Sequence, residues 1–237
     1  MMFDHIERGD CLDLIKQIPD ASIDLVVTDP PYKIVSGGCT TKKNATSGIL
    51  NGRSDFTKKG ELFGNNKITF SEWIPQIYRV LKENTHCYIM INGRNLSELQ
   101  RECVRAGFVY QNLLVWDKGN VTPNKWYMNR CEFILMLRKG KAKNINNKGT
   151  STLLSIPNII GRKVHPTEKP VELLQILIEN STLENDVVFD PFMGSGSTGI
   201  AAAKANRRFI GFELDEKYFE IAKERIESAK QCCEVIE

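Results

Sequence analysis

A strand, a glycine-rich turn and a helix follow one another between residues 187 and 199, and this segment constrains the fold most. It begins with the apolar run Val187-Val188-Phe189, passes through Gly194-Ser195-Gly196 and enters a predicted helix at about 197–205. Glycines let the backbone approach a ligand closely, and a helix N-terminus attracts negative charge. The segment therefore predicts a ligand site at the end of a buried strand.

An acid follows at the end of the next predicted strand. Glu213 lies about 19 positions beyond Gly194, close to the spacing at which dinucleotide-binding folds hold a ribose diol. The turn lacks Gly-Lys-Ser/Thr, which argues against a phosphate-cradling nucleotide loop. From these residues alone the site fits either a nicotinamide cofactor or S-adenosylmethionine, because both contain an adenosine ribose.

A second turn, Thr28-Asp29-Pro30-Pro31-Tyr32, follows the apolar strand Ile23–Val27. Each proline holds the residue before it extended, and prolines bring no N–H group, so the carbonyls here stay available to a ligand. The turn thus presents a carboxylate, bare carbonyls and an aromatic ring. These groups suit a flat ring that carries an amine, although most short Asp-Pro turns are only structural.

The spacing of apolar residues predicts a doubly wound α/β fold. Helices are expected at 12–18, 70–81, 95–106, 170–178, 197–205 and from 216, and strands at 23–27, 86–91, 113–116, 132–137, 187–189 and 208–212. This alternation indicates a mostly parallel, Rossmann-like sheet with helices on both faces. We expect one domain, 1–237, with a mobile basic insert at about 33–67 and an irregular loop at about 117–130.

Charge and composition indicate a soluble, cytoplasmic protein with a polyanionic partner. The net charge is only +3, but two segments, 33–70 and 138–169, are strongly basic against an acidic remainder. The seven cysteines lack a C-x-x-C pair, so we expect reduced thiols and neither a zinc site nor a disulfide framework. No apolar run has the length of a membrane span.

Four motifs in order resemble the β-type amino DNA methyltransferases. They are Gly9-Asp10-Cys11, Asp29–Tyr32, His165–Pro170 and the block Asp190–Thr198. The resemblance covers nearly the whole chain apart from 33–67 and the extreme C-terminus. It implies methyl transfer from S-adenosylmethionine, without a metal, to the exocyclic amine of a base flipped out of DNA. The segments 33–67 and 117–130 match no known target, so the recognition sequence stays open.

The resemblance also assigns roles to residues. The catalytic residues implied are Asp29, Pro30, Pro31 and Tyr32. The cofactor would contact Asp10, Cys11, Thr167, Lys169, Asp190, Phe192, Gly194, Ser195, Gly196, Thr198 and Glu213, with Lys169 near the methionine carboxylate. Asp10 could equally be a helix N-cap, and Lys169 a solvated residue. In the loop at 117–130, the interleaved Lys118, Lys125, Trp126 and Arg130 suit contact with DNA.

Adenine is the expected target, because in the β-type order an aspartate at the first motif position goes with adenine-N6 and a serine with cytosine-N4. Cytosine-N4 methylation remains the alternative, and RNA or protein amino methylation is a weaker one. Outside methyl transfer, the alternatives are an NAD-dependent oxidoreductase and a non-catalytic DNA-binding module. The enzyme could act beside a restriction endonuclease, as a monomer or a homodimer.

Overall fold

The computed structural model describes residues 5–31, 68–122, 127–141, 143–161, 164–165 and 168–234. Eight strands in these ranges form one sheet. They are β1 (His5–Arg8), β2 (Ile23–Thr28), β3 (Leu81–Ile91), β4 (Val109–Thr122), β5 (Asn129–Lys139), β6 (Leu153–Ser155), β7 (Val187–Asp190) and β8 (Arg208–Glu213). Tyr32, the predicted insert at 33–67, Lys125, Trp126 and Thr167 lie outside the described residues.

The strands lie in the order β1-β8-β7-β2-β3-β5-β4-β6. The five strands β1, β8, β7, β2 and β3 run parallel, β5 is antiparallel to both of its neighbours, and β6 is parallel to β4. The expected mostly parallel sheet is therefore confirmed. The carboxyl ends of its central strands share one edge.

Within the same ranges, six α-helices cover the two faces of the sheet. They are α1 (Cys11–Leu14), α2 (Phe70–Val80), α3 (Leu96–Arg105), α4 (Val171–Ser181), α5 (Ser197–Lys204) and α6 (Glu216–Glu234). Buried side chains of α1, α2 and α3 pack with Val26 on one face, whereas those of α4, α5 and α6 pack with Leu25 and Val27 on the other. Side chains that alternate along β2 therefore contribute to two hydrophobic cores, one on each face of the sheet, as a doubly wound fold requires.

The expectation of an irregular loop at 117–130 is wrong for most of its length. β4 continues to Thr122 and β5 already begins at Asn129, with Asp117 opposite Cys131 in the antiparallel pairing. Lys, Gly and Asn disfavour strands locally, but the cross-strand ladder to β5 overrides that weak preference. None of the helices described is long and apolar enough to cross a membrane.

Candidate active site

Two of the predicted motifs meet at the carboxyl edge of the sheet. Asp29 follows β2 and Asp190 ends β7, and these strands are parallel neighbours. The Thr28 hydroxyl donates to Asp190 Oδ1 at 2.6 Å. The catalytic turn and the glycine-rich block are therefore tied together directly, as expected for a site at the carboxyl ends of parallel strands.

Asp190 is a buried carboxylate that accepts hydrogen bonds from several residues. It is 3% exposed, and its Oδ1 also accepts from the Phe192 amide at 3.0 Å, while Oδ2 accepts from the Thr198 hydroxyl at 2.7 Å. Burial raises the pKa of this carboxyl to about 6; the hydrogen bonds from Thr198, Thr28 and Phe192 lower it, and the nearby Asp29 charge raises it. Asp190 consequently fixes the start of the glycine-rich turn.

The glycine-rich turn has the backbone that its sequence predicts. Gly196 has φ +82° and precedes α5, and a Cβ there would meet Ala222 at 3.0 Å. The Gly194 amide donates to Glu213 Oε2 at 2.9 Å, which joins the end of β8 to the turn. Burial raises the pKa of Glu213, while backbone hydrogen bonds from Asp215, Gly194 and Leu214 lower it.

The Gly9-Asp10-Cys11 motif lies beside Glu213. The Gly9 amide donates to the Glu213 carbonyl at 3.0 Å, because β1 pairs with β8. Asp10 is the N-cap of α1 and accepts from the Leu12 amide at 2.8 Å, so the alternative N-cap interpretation of this residue is correct. Burial, followed by the charges of Asp10 and Asp13, raises the pKa of the Cys11 thiol to about 12. Cys11 is therefore a protonated thiol at neutral pH.

The described residues of the His165–Pro170 motif touch both turns. The His165 ring lies over Gly194, where a Cβ would meet it at 3.6 Å, and packs against Tyr218 with ring centroids 4.1 Å apart. Glu168 Oε1 accepts from Arg225 Nη2 at 2.6 Å, and Arg225 Nη1 donates to the Ser195 carbonyl at 2.7 Å. One arginine of α6 thus clamps the motif to the glycine-rich turn.

Lys169 lies against the turn that carries Asp29. Its ammonium contacts the Asp29 carboxylate, and the place near the methionine carboxylate of the cofactor, which the resemblance implies for it, stays a prediction. Phe192 packs edge-on against Trp73 with ring centroids 5.3 Å apart. The ion pair therefore joins Lys169, a predicted cofactor contact, to Asp29, a predicted catalytic residue.

Two of the predicted DNA contacts fall on described residues. Arg130 is exposed and donates through Nε and Nη2 to the two Asp117 oxygens at 2.6 and 2.8 Å. Lys118 is buried, with its ammonium 3.1 Å from Glu132 Oε1. Lys118 is therefore paired inside the protein and is left out of the proposed DNA-binding surface, whereas the exposed Arg130 remains a candidate for DNA contact.

Sequence reasoning missed Thr28, Glu132 and Arg225. Thr28 is the last residue of β2. The alternation of side chains along a strand predicts which face of the sheet it lies on, but not that its partner is Asp190. Glu132 and Arg225 carry no local signal, because their partners lie far away in sequence. No cluster of three His, Cys, Asp or Glu that could hold a metal ion occurs within the described ranges.

The comparisons with known proteins agree with this geometry. The N6/N4 methyltransferase family, described as DNA methylases, matches residues 23–224. The chain therefore belongs to this family of DNA methyltransferases, which confirms the class indicated by the four motifs.

Individual relatives match along nearly their full length. Type II methyltransferase M2.DpnII of Streptococcus pneumoniae is 30% identical over 94% of this chain and 90% of its own. Type II methyltransferase M2.MboI of Moraxella bovis is 29% identical over 93% and 86%. The crystal structure of an M1.HpyAVI–SAM complex has a TM-score of 0.69 at 29% identity, over 93% of this chain and 98% of that one.

Proposed function

We propose that this protein is an S-adenosylmethionine-dependent, site-specific DNA methyltransferase that modifies the exocyclic N6 of adenine. The observation that carries the proposal is the junction of the Asp29 turn with the glycine-rich turn through Thr28 and Asp190. A turn that presents an acceptor for an amine and a glycine-rich turn that suits an adenosine cofactor are thereby held next to each other. An oxidoreductase would leave the Asp29 turn without a use.

The residues at the glycine-rich turn fit S-adenosylmethionine. The Glu213 oxygens each accept one backbone N–H, and a carboxylate oxygen can accept another bond from a ribose hydroxyl. Ser197, 7% exposed, opens α5, and its hydroxyl has no hydrogen-bond partner among the described residues. A buried hydroxyl without a partner costs free energy unless something satisfies it. A polar cofactor beside the turn supplies such a partner.

Asp29 and the Pro30 carbonyl perform the chemistry in this proposal. The exocyclic amine of adenine is a weak nucleophile, because its lone pair is delocalised into the ring. When the carboxylate and the carbonyl accept its two hydrogens, the lone pair is localised on nitrogen and the growing positive charge is stabilised. S-adenosylmethionine would supply the electrophilic methyl group and leave as S-adenosylhomocysteine, and the methylated amine would lose one proton to become neutral. Tyr32, outside the described residues, is the proposed stacking partner of the flipped base.

Adenine is preferred over cytosine because the motif begins with aspartate, Asp29, which the β-type order associates with N6 methylation. We take double-stranded DNA as the substrate. Arg130 supports a nucleic-acid partner, since its exposed ion pair can exchange Asp117 for a phosphate. The two relatives are Type II methyltransferases, and we extend the proposal to a modification role beside a restriction endonuclease.

Product identification tests the proposal. Unmethylated double-stranded DNA is incubated with the protein and S-adenosylmethionine, digested to nucleosides and analysed by mass spectrometry, with heat-inactivated protein as the control. N6-methyldeoxyadenosine is the expected product. N4-methyldeoxycytidine would overturn the choice of adenine and keep the mechanism, whereas no methylated base with intact cofactor binding would exclude DNA as the substrate.

A further inference from the structure

A buried lysine lies between two carboxylates next to the catalytic turn. Lys169 is 7% exposed; its ammonium contacts Asp29 Oδ2 and lies 3.6 Å from Glu132 Oε2. Burial alone would lower the pKa of Lys169, but the Asp29 and Glu132 carboxylates outweigh burial and raise it. Lys169 is therefore a cation that two acids keep in place.

Glu132 also pairs with a second lysine, Lys118. Lys118 Nζ lies 3.1 Å from the other oxygen of Glu132, Oε1. Lys118, Glu132, Lys169 and Asp29 thus form a row of alternating charge, which we call the charge row. Its members come from β4, β5, the segment before α4 and the turn after β2. Because the row is neutral, the two carboxylates offset part of the desolvation cost of burying two ammonium groups beside the site.

The position of the ammonium matters for the reaction. In the proposed function Asp29 accepts hydrogens from an amine that becomes positively charged during methyl transfer. Lys169 therefore donates to the same carboxylate that must receive the target amine. A cation in contact with a carboxylate restricts its orientation and opposes its protonation. Among the described residues, the Asp190 carboxyl of β7 also interacts electrostatically with Asp29, and its negative charge would favour protonation of Asp29.

We propose that Lys169 is a positioning residue for Asp29, with Glu132 as the second counter-ion that holds the ammonium in place. The carboxylate then meets the target amine ionised and already oriented. Glu132 also limits how strongly the ammonium competes with that amine, because it shares the positive charge. The inference rests on the proposed role of Asp29. It replaces the expectation that Lys169 serves the methionine carboxylate of the cofactor.

The test is the pH dependence of single-turnover DNA methylation in Lys169→Met and Glu132→Gln. Without the ammonium, Asp29 takes up a proton more readily. The acid limb of the Lys169→Met profile should therefore move up by about one pH unit, with the rate at pH 7 reduced about tenfold or more. Glu132→Gln removes the competing carboxylate, so its acid limb should stay in place or move down. Opposite responses of two neighbours are not expected from a packing role.

Cofactor affinity and folding provide the controls. S-adenosylmethionine affinity, measured by calorimetry, should change little in either variant. A large loss of affinity in Lys169→Met with an unmoved acid limb would overturn the proposal in favour of a cofactor contact. If Lys169→Met does not fold, the isosteric Glu132→Gln decides, because an upward shift of its acid limb contradicts the charge row. Failure of the wild type to methylate DNA would instead contradict the proposed function itself.

Discussion

The Thr28 hydroxyl donates a 2.6 Å hydrogen bond to the carboxylate of Asp190, across 162 positions of the chain. Thr28 is 1% exposed and Asp190 3% exposed, so water cannot easily replace either partner. The bond joins the last residue of β2 to the last residue of β7. The bond therefore links Asp190, the anchor of the glycine-rich turn, to the residue that directly precedes Asp29.

Thr28→Val should destabilise the protein by about 1–3 kcal/mol, because an isosteric side chain leaves a buried carboxylate with one donor fewer. Urea denaturation at pH 7.5 measures this difference. Thr28→Ser keeps the hydroxyl and is the matched control, so it should lose much less stability. Equal losses in the two variants would show that the methyl group, and not the hydrogen bond, stabilises the strand end.

Asp190→Asn should remove a pH dependence of stability. The carboxyl has a pKa of about 6 in the folded protein, against 3.8 for an unperturbed aspartate. Between these values the folded protein binds the proton and the unfolded chain does not, so this contribution to stability falls as pH rises through about 6. From pH 5 to pH 7 the free energy of unfolding of the wild type should fall by on the order of 1 kcal/mol through this group. The Asp190→Asn variant should lack this fall.

The asparagine is close in size and can still accept from Thr28 through its oxygen. Denaturant titrations of both proteins at pH 5, 6 and 7 isolate the contribution of Asp190, because the other groups are common to both. The same pH dependence in the two proteins would mean that Asp190 is ionised throughout this range.

The fold and the two turns were predictable because their signals are local. β2, β7 and β8 are short apolar runs, and each is followed by residues that only a turn or a ligand site explains. The β4–β5 pairing was not predictable, because its polar residues form strands only through the ladder with their partner. The contact between Lys169 and Asp29 spans 140 positions. Sequence placed both residues in the site but could not show which partner each side chain chooses.

Asp29→Ala should lower the rate of DNA methylation by about 10²-fold or more, while S-adenosylmethionine binding stays nearly intact. The reason is that the proposed amine acceptor lies in the turn after β2, whereas most of the proposed cofactor contacts lie in the glycine-rich turn after β7 and at the end of β8. Asp29→Asn keeps an oxygen acceptor without the charge and should retain more activity than the alanine variant. Comparable methylation by Asp29→Ala and the wild type would show that the assigned role is wrong.

Glu213→Gln should weaken cofactor binding by about 10- to 100-fold, because the charged acceptor of the ribose hydroxyls is lost. Glutamine has one acceptor oxygen for the two amides that Glu213 now serves, those of Gly194 and Asp215, so a melting curve must separate misfolding from lost contact. The sharper measurement uses an analogue of the cofactor without ribose hydroxyls. The wild type should prefer the natural cofactor strongly and the variant only slightly. An unchanged preference would place the ribose away from Glu213. Glu216→Gln, which alters an exposed acid at the start of α6, is the matched control and should bind as the wild type does.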